Sequence, residues 1–76
     1  MNKDRRSRID KIRFAIEDLK DQVETLRDEE QEAFDNTPAG LQTAAQGVAM
    51  EEAIFSLEEI IGALEVAIEH CEEVAA

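Results

Sequence analysis

Apolar residues recur three and four positions apart along both halves of this chain, and its only proline lies between the two runs. The first run is Ile9, Ile12, Ile16, Leu19, Val23 and Leu26, a heptad seam with a at 9, 16 and 23 and d at 12, 19 and 26. The second is Met50, Ile54, Leu57, Ile61, Leu64, Ile68, Cys71 and Ala75, with Ile at a and mostly Leu at d. Pro38 disfavours helical geometry at Thr37. The pattern predicts one all-α domain over residues 1–76: an antiparallel two-helix hairpin, a coiled coil, with helix 1 about 4–35, a turn at 36–43 and helix 2 about 44–75.

Local signals refine the ends. Ser7 followed by Asp10 resembles a capping box, and Asp4 is an alternative cap. Asn36 or Thr37 is placed to cap ahead of Pro38. Leu41 and Phe34 are expected to plug the end of the core. Glu30 occupies the next a position after Val23, which predicts either that the helix rolls to bring Phe34 inward or that Glu30 faces a polar pocket near the turn.

The flanking rows carry partner information. The e row of helix 1 is Arg13, Lys20, Arg27 and then Phe34; that of helix 2 is Glu51, Glu58, Glu65 and Glu72. Antiparallel coiled coils set e beside e and g beside g. The basic row therefore faces the acidic one, which sets orientation and register. The opposite flank sets Ala15 and Gln22 against Ala53, Ile60, Ala67 and Val74, and nothing within a hairpin covers it. A second protomer is expected there, giving a homodimeric four-helix bundle. Phe14 stands alone outside the seam, as an exposed residue or a contact in a higher assembly. Phe55 and Val66 lie further round helix 2.

At 76 residues the chain is short for a self-sufficient core. Small domains usually recruit disulfides, metal or oligomerisation. Cys71 is the only cysteine, so no disulfide forms within one chain, and no Cys/His cluster has zinc-ligand spacing. No apolar run reaches the ~20 residues of a bilayer span. Met1–Arg6 is not followed by the apolar stretch of a secretory signal. A reduced, cytoplasmic setting, without membrane contact, is expected.

The net charge is −11. All the Lys and Arg lie at or before Arg27, whereas Asp and Glu continue to Glu73. Such a surface repels nucleic acid and attracts basic partners. Arg5, Arg6 and Arg8 sit at a helix start, where the macrodipole disfavours cations. A hairpin brings them toward Glu69, Glu72 and Glu73 for neutralisation, or leaves a cationic end that grips an anion. Catalytic signals are absent: there is one His, and no Ser-His-Asp set, Cys-His pair or Gly-rich phosphate loop. His70 reads as a surface residue and Cys71 as a core thiol. No enzyme, metal site or cofactor is expected.

The segment Arg27-Asp28-Glu29-Glu30-Gln31-Glu32-Ala33-Phe34-Asp35-Asn36, then Pro38, Gly40-Leu41-Gln42 and Met50-Glu51-Glu52-Ala53-Ile54, resembles small acidic helical proteins encoded by tailed phages and prophages. The resemblance spans most of the chain and is most specific at 27–42. That family is largely uncharacterised and brings no functional residue with it. It implies an accessory factor that acts on host machinery or host defence.

Two functions fit these readings. One is an interaction protein that homo-oligomerises and blocks a host or phage protein. Its acidic face of Glu51, Glu52, Glu58, Glu59, Glu69 and Glu73 would imitate a phosphate array. The other is sequestration of an anionic small molecule such as a cyclic nucleotide, by Arg27, Glu30, Gln31, Asn36, Thr37 and Gln42 with the Arg5–Arg8 end. A structural role in phage assembly is a third.

Overall fold

The computed structural model describes residues 1–76. The chain is all-α without a strand: α1 is Lys3–Asp35, α2 a single turn at Ala39–Gln42, and α3 Ala45–Ala75. It forms a rod of 58 × 14 × 13 Å. At a rise of ~1.5 Å per residue, α1 alone accounts for most of that length. No helix is long and apolar enough to cross a membrane.

Helix α1 starts earlier than Asp4 or Ser7 would place it. Asn2 has extended backbone, and its Oδ1 accepts from the Arg5 N–H at 2.8 Å. That satisfies one of the unpaired amides at a helix start. Asp4 instead falls in the first turn, where the macrodipole favours a carboxylate. Ser7 lies inside the helix.

The end of α1 is closed by groups that the sequence suggested would open the next helix. The Asn36 and Thr37 amides donate to the Glu32 and Phe34 carbonyls, both at 3.0 Å. The Thr37 hydroxyl donates back to the Ala33 carbonyl at 2.9 Å. Pro38 itself precedes α2, and its carbonyl accepts from Leu41 at 2.8 Å and Gln42 at 3.1 Å. This turn of helix points Leu41 outward, 54% exposed, so it does not plug the core. Gln42 points inward instead, and its amide donates to the Phe34 carbonyl at 3.0 Å.

Gly47, in the first turn of α3, is buried against that same residue. A Cβ there would collide with the backbone of Gln42. The close approach lets α3 turn back immediately after α2. It then runs antiparallel beside α1. Arg13 lies opposite Glu72 at 3.9 Å, and Lys20 opposite Glu65 at 3.4 Å. In this register α3 ends level with the third turn of α1, and the first turns project beyond it. Arg5, Arg6 and Arg8 therefore do not meet Glu69, Glu72 or Glu73. The one ion pair among these arginines joins Arg8 to Asp4 at 3.7 Å.

The interior is thin. Only Gly47, Ile54, Ile61 and Cys71 are buried. Helix α1 is rolled relative to its heptad seam. Its a residues Ile9, Ile16 and Val23 are half-buried together with the e residues Arg13, Lys20, Arg27 and Phe34. The d residues Ile12, Leu19 and Leu26 are left 52%, 50% and 53% exposed. The basic side chains lay their stems along the core edge and their heads toward the acidic row, which draws the e side inward. Phe34 turns inward as one reading of the sequence required, and Glu30 stays half-buried beside it.

Glycine inside a helix normally costs ~0.5–1 kcal/mol relative to alanine. Gly47→Ala should reverse that sign, destabilising the fold by about 1–3 kcal/mol through overpacking. Gly62→Ala, with open space around the new methyl, should stabilise by ~0.5–1 kcal/mol. Urea unfolding of both variants at one protein concentration checks the opposite signs.

Candidate interaction surfaces

The polar residues of the turn are held within the chain. Arg27 meets its neighbour Asp28, Nη2 to Oδ1 at 3.0 Å, rather than Glu58 across the helix pair. The Gln31 amide donates to Asp35 at 3.0 Å. Thr37 and Gln42 both close the C-terminal end of α1, through the Ala33 and Phe34 carbonyls. Asn36 is exposed, and Glu30 makes no ion pair or hydrogen bond within the chain. These six residues do not converge on one cavity. Four of them are held by local pairing: Arg27, Gln31, Thr37 and Gln42 each have a backbone or side-chain partner within eight residues.

The acidic residues of α3 divide into two sets. Glu65 and Glu72 face α1 and take Lys20 and Arg13. Those cations are shared with Glu24 at 3.5 Å and with Glu17 at 3.5 Å and Asp10 at 4.0 Å. Glu51, Glu52, Glu58, Glu59 and Glu69 are exposed and reached by no Lys or Arg. Glu73 meets only His70, Nδ1 to Oε2 at 3.1 Å. The division follows from the sequence, because every cation lies on α1 and the inward ones turn to a single flank.

Two apolar residues interrupt this acidic surface. Phe55, at 65%, is the most exposed large apolar side chain, and Val48 is one heptad before it. With Glu51, Glu52 and Ser56 they line an open groove. The Val48–Phe55 spacing was the available signal, and the seam-based reading passed over it. Elsewhere, the Arg13 guanidinium stands 4.8 Å from the centre of the exposed Phe14 ring, a cation–π contact. Cys71 is a buried free thiol, and His70 is exposed.

The flank opposite the ion pairs is apolar. Ala15 and Gln22 are exposed, Ile60 and Val74 nearly half so, and Ala53 and Ala67 half-buried. Gln22 is tied to Asp18 by a 2.7 Å hydrogen bond. The roll of α1 adds Ile12, Leu19 and Leu26 to this flank, residues that the heptad pattern assigned to the core. Phe34 at the end of the e row was the sign of that roll.

No protein-family model matches the chain, and neither a curated protein nor a solved structure matches it.

The Lys20 ammonium is held above its ordinary pKa of 10.5, first by its hydrogen bond to Glu65; desolvation is the next largest influence and opposes it, and attraction to Glu65 and Glu24 adds to the rise. A raised lysine stabilises the fold fully below its unfolded pKa, and the contribution is lost as pH rises through the folded value. Glu65→Gln should therefore melt below the parent at neutral pH. The gap should narrow as pH climbs past the lysine range, which thermal melts followed by circular dichroism will read.

Proposed function

We propose that the protein is a non-enzymatic interaction factor of the phage accessory type, and that its acidic face captures a basic host or phage protein. The antiparallel α1–α3 pair is a two-helix hairpin that serves as half of a homodimeric four-helix bundle. The observation that carries the reading is the set of uncompensated carboxylates on α3. Glu51, Glu52, Glu58, Glu59 and Glu69 are exposed without a cation, although α1 supplies eight. Charge kept only for solubility has no need of apolar neighbours. Here Phe55 and Val48 sit among the acids, combining an apolar anchor with a charged rim in the manner of protein interfaces.

Glu51, Glu52, Glu58, Glu59 and Glu69 are all exposed along α3, a run of negative charge of the sign that a groove built for a phosphate backbone accepts. An acidic imitation of nucleic acid is the form of blocking that this favours. The resemblance of residues 27–42 to phage-encoded proteins supports a target in host machinery or defence. The half-exposed flank of Ile12, Leu19, Leu26, Ile60 and Val74 supports the dimer.

The test is capture from bacterial lysate on immobilised protein, with elution by salt and by duplex DNA. The parent should retain a basic protein that both eluents release. A variant with Glu51, Glu52, Glu58, Glu59, Glu69 and Glu73 changed to Gln should retain at least tenfold less while keeping its helix content. Equal retention by the variant would refute the acidic face. Ile60→Asp should sediment as monomer, and a stable dimeric variant would remove the flank from the interface.

A further inference from the structure

The apolar flank has a direction written along it. On α1 it begins at Arg8, passes Ile12, Leu19 and Leu26, and ends at Glu29. Its positions read nearly the same from either end about Leu19, but the charge changes sign. On α3 the flank residues Ile60 and Val74 are spaced equally about Ala67. These two centres stand at one height in the fold. Lys20 opposite Glu65 and Arg13 opposite Glu72 put Leu19 level with residue 66, within one helical rise of Ala67.

We infer that two copies pair on this flank antiparallel, about a twofold axis that passes Leu19 and Ala67. This rests on the homodimer reading above and specifies its geometry. The axis sets Ile12 against the partner's Leu26 and Leu19 against the partner's Leu19. On the other helix it sets Ile60 against the partner's Val74, and Ala67 against its own copy. The same operation brings Arg8 to the partner's Glu29. Neither charge is strongly committed within its own chain: Arg8 meets only Asp4, at 3.7 Å with both side chains highly exposed, and Glu29 makes no ion pair. An isologous interface requires a self-complementary surface. This flank has that property in apolar spacing and in charge.

The other twofold arrangement places the axis along the rod and lays α1 on the partner's α3. In the register set by Lys20–Glu65 and Arg13–Glu72, it leaves Arg8 beyond the last turn of the partner's α3 and sets Glu29 level with the partner's Ser56. Glu29 then meets no cation, since α3 carries none, and Arg8 stays at the open end of the rod, so this arrangement forms no charge pair between the copies. Charge complementarity therefore selects the crosswise pairing, in which α1 meets α1 and α3 meets α3.

Single cysteines in a Cys71→Ala background, treated with a short bis-maleimide, test the orientation. Leu19→Cys should cross-link to itself. Ile12→Cys and Leu26→Cys should each cross-link to themselves at least tenfold more slowly than Leu19→Cys, and an equimolar mixture of the two should yield the mixed dimer. Self-coupling at 12 and at 26 as fast as at 19 would overturn the antiparallel axis. Sedimentation of the same samples separates the two claims. A monomer refutes the dimer itself, and a dimer with the wrong coupling pattern refutes only its orientation. A second measurement avoids the apolar positions. Arg8→Glu and Glu29→Arg should each weaken self-association by about two- to fivefold, as expected for exposed ion pairs. Mixing the two variants should restore it, and a mixture no tighter than its components would count against the Arg8–Glu29 contact.

Discussion

The roll of α1 governs the rest of this structure. It is fixed by one flank of charge, Arg13 to Glu72 and Lys20 to Glu65, and it decides which side chains the single helix–helix seam covers. Exposed ion pairs contribute little to stability in isolation. Leaving Ile12, Leu19 and Leu26 half exposed forfeits on the order of 1 kcal/mol for each, taking half the transfer free energy of a large aliphatic side chain. On those magnitudes the isolated pair of helices would gain by rolling the d row back inside. The observed arrangement is the favourable one when a further surface covers that row. The charged flank then has the role of choosing which side stays open, and its contribution is to geometry more than to energy.

The turn meets a different constraint, because two helix ends must lie close without leaving amides or carbonyls unpaired. Thr37 and Gln42 solve this from opposite sides: one closes α1 through the Ala33 carbonyl, and the other spans to the Phe34 carbonyl. Gly47 supplies the space for the backbone of Gln42. The connection is longer than a minimal helix–helix loop, yet its extra residues form a structured turn of helix. Two of its polar side chains, Thr37 and Gln42, are accounted for by backbone pairing, and Arg27 and Gln31 by neighbouring carboxylates.

Sequence made the helices, the break at Pro38 and the facing charged rows legible, because each depends on period and residue type along one element. It was silent on features that depend on a choice between equivalent local options. Asn2, Asp4 and Ser7 are all competent caps, and the selection of Asn2 followed from where the helix could begin. Leu41 looked like a core plug by hydrophobicity, but one turn of α2 points it to solvent and gives its place to an amide. The heptad seam could not reveal the roll of α1, since a and e, or a and d, form an apolar stripe equally well once Arg and Lys stems count as apolar. The exposed apolar flank was half visible in Ala15, Ala53, Ile60, Ala67 and Val74. Its larger members were hidden because the pattern had assigned them to the core.

Charge segregation joins these observations. Every cation lies between Lys3 and Arg27, and two of them, Arg13 and Lys20, are consumed by the flank that sets the roll. Arg8 stands at the opposite edge of α1 and meets only Asp4. Helix α3 is left with no basic residue of its own, so its outer carboxylates can be neutralised only by something outside the chain. A chain with the same net charge but evenly mixed signs would cancel locally through pairs three and four residues apart and would present no such face. The segregation therefore gives the two long faces different characters: an apolar flank along which charge changes sign, and an exposed α3 surface on which it does not.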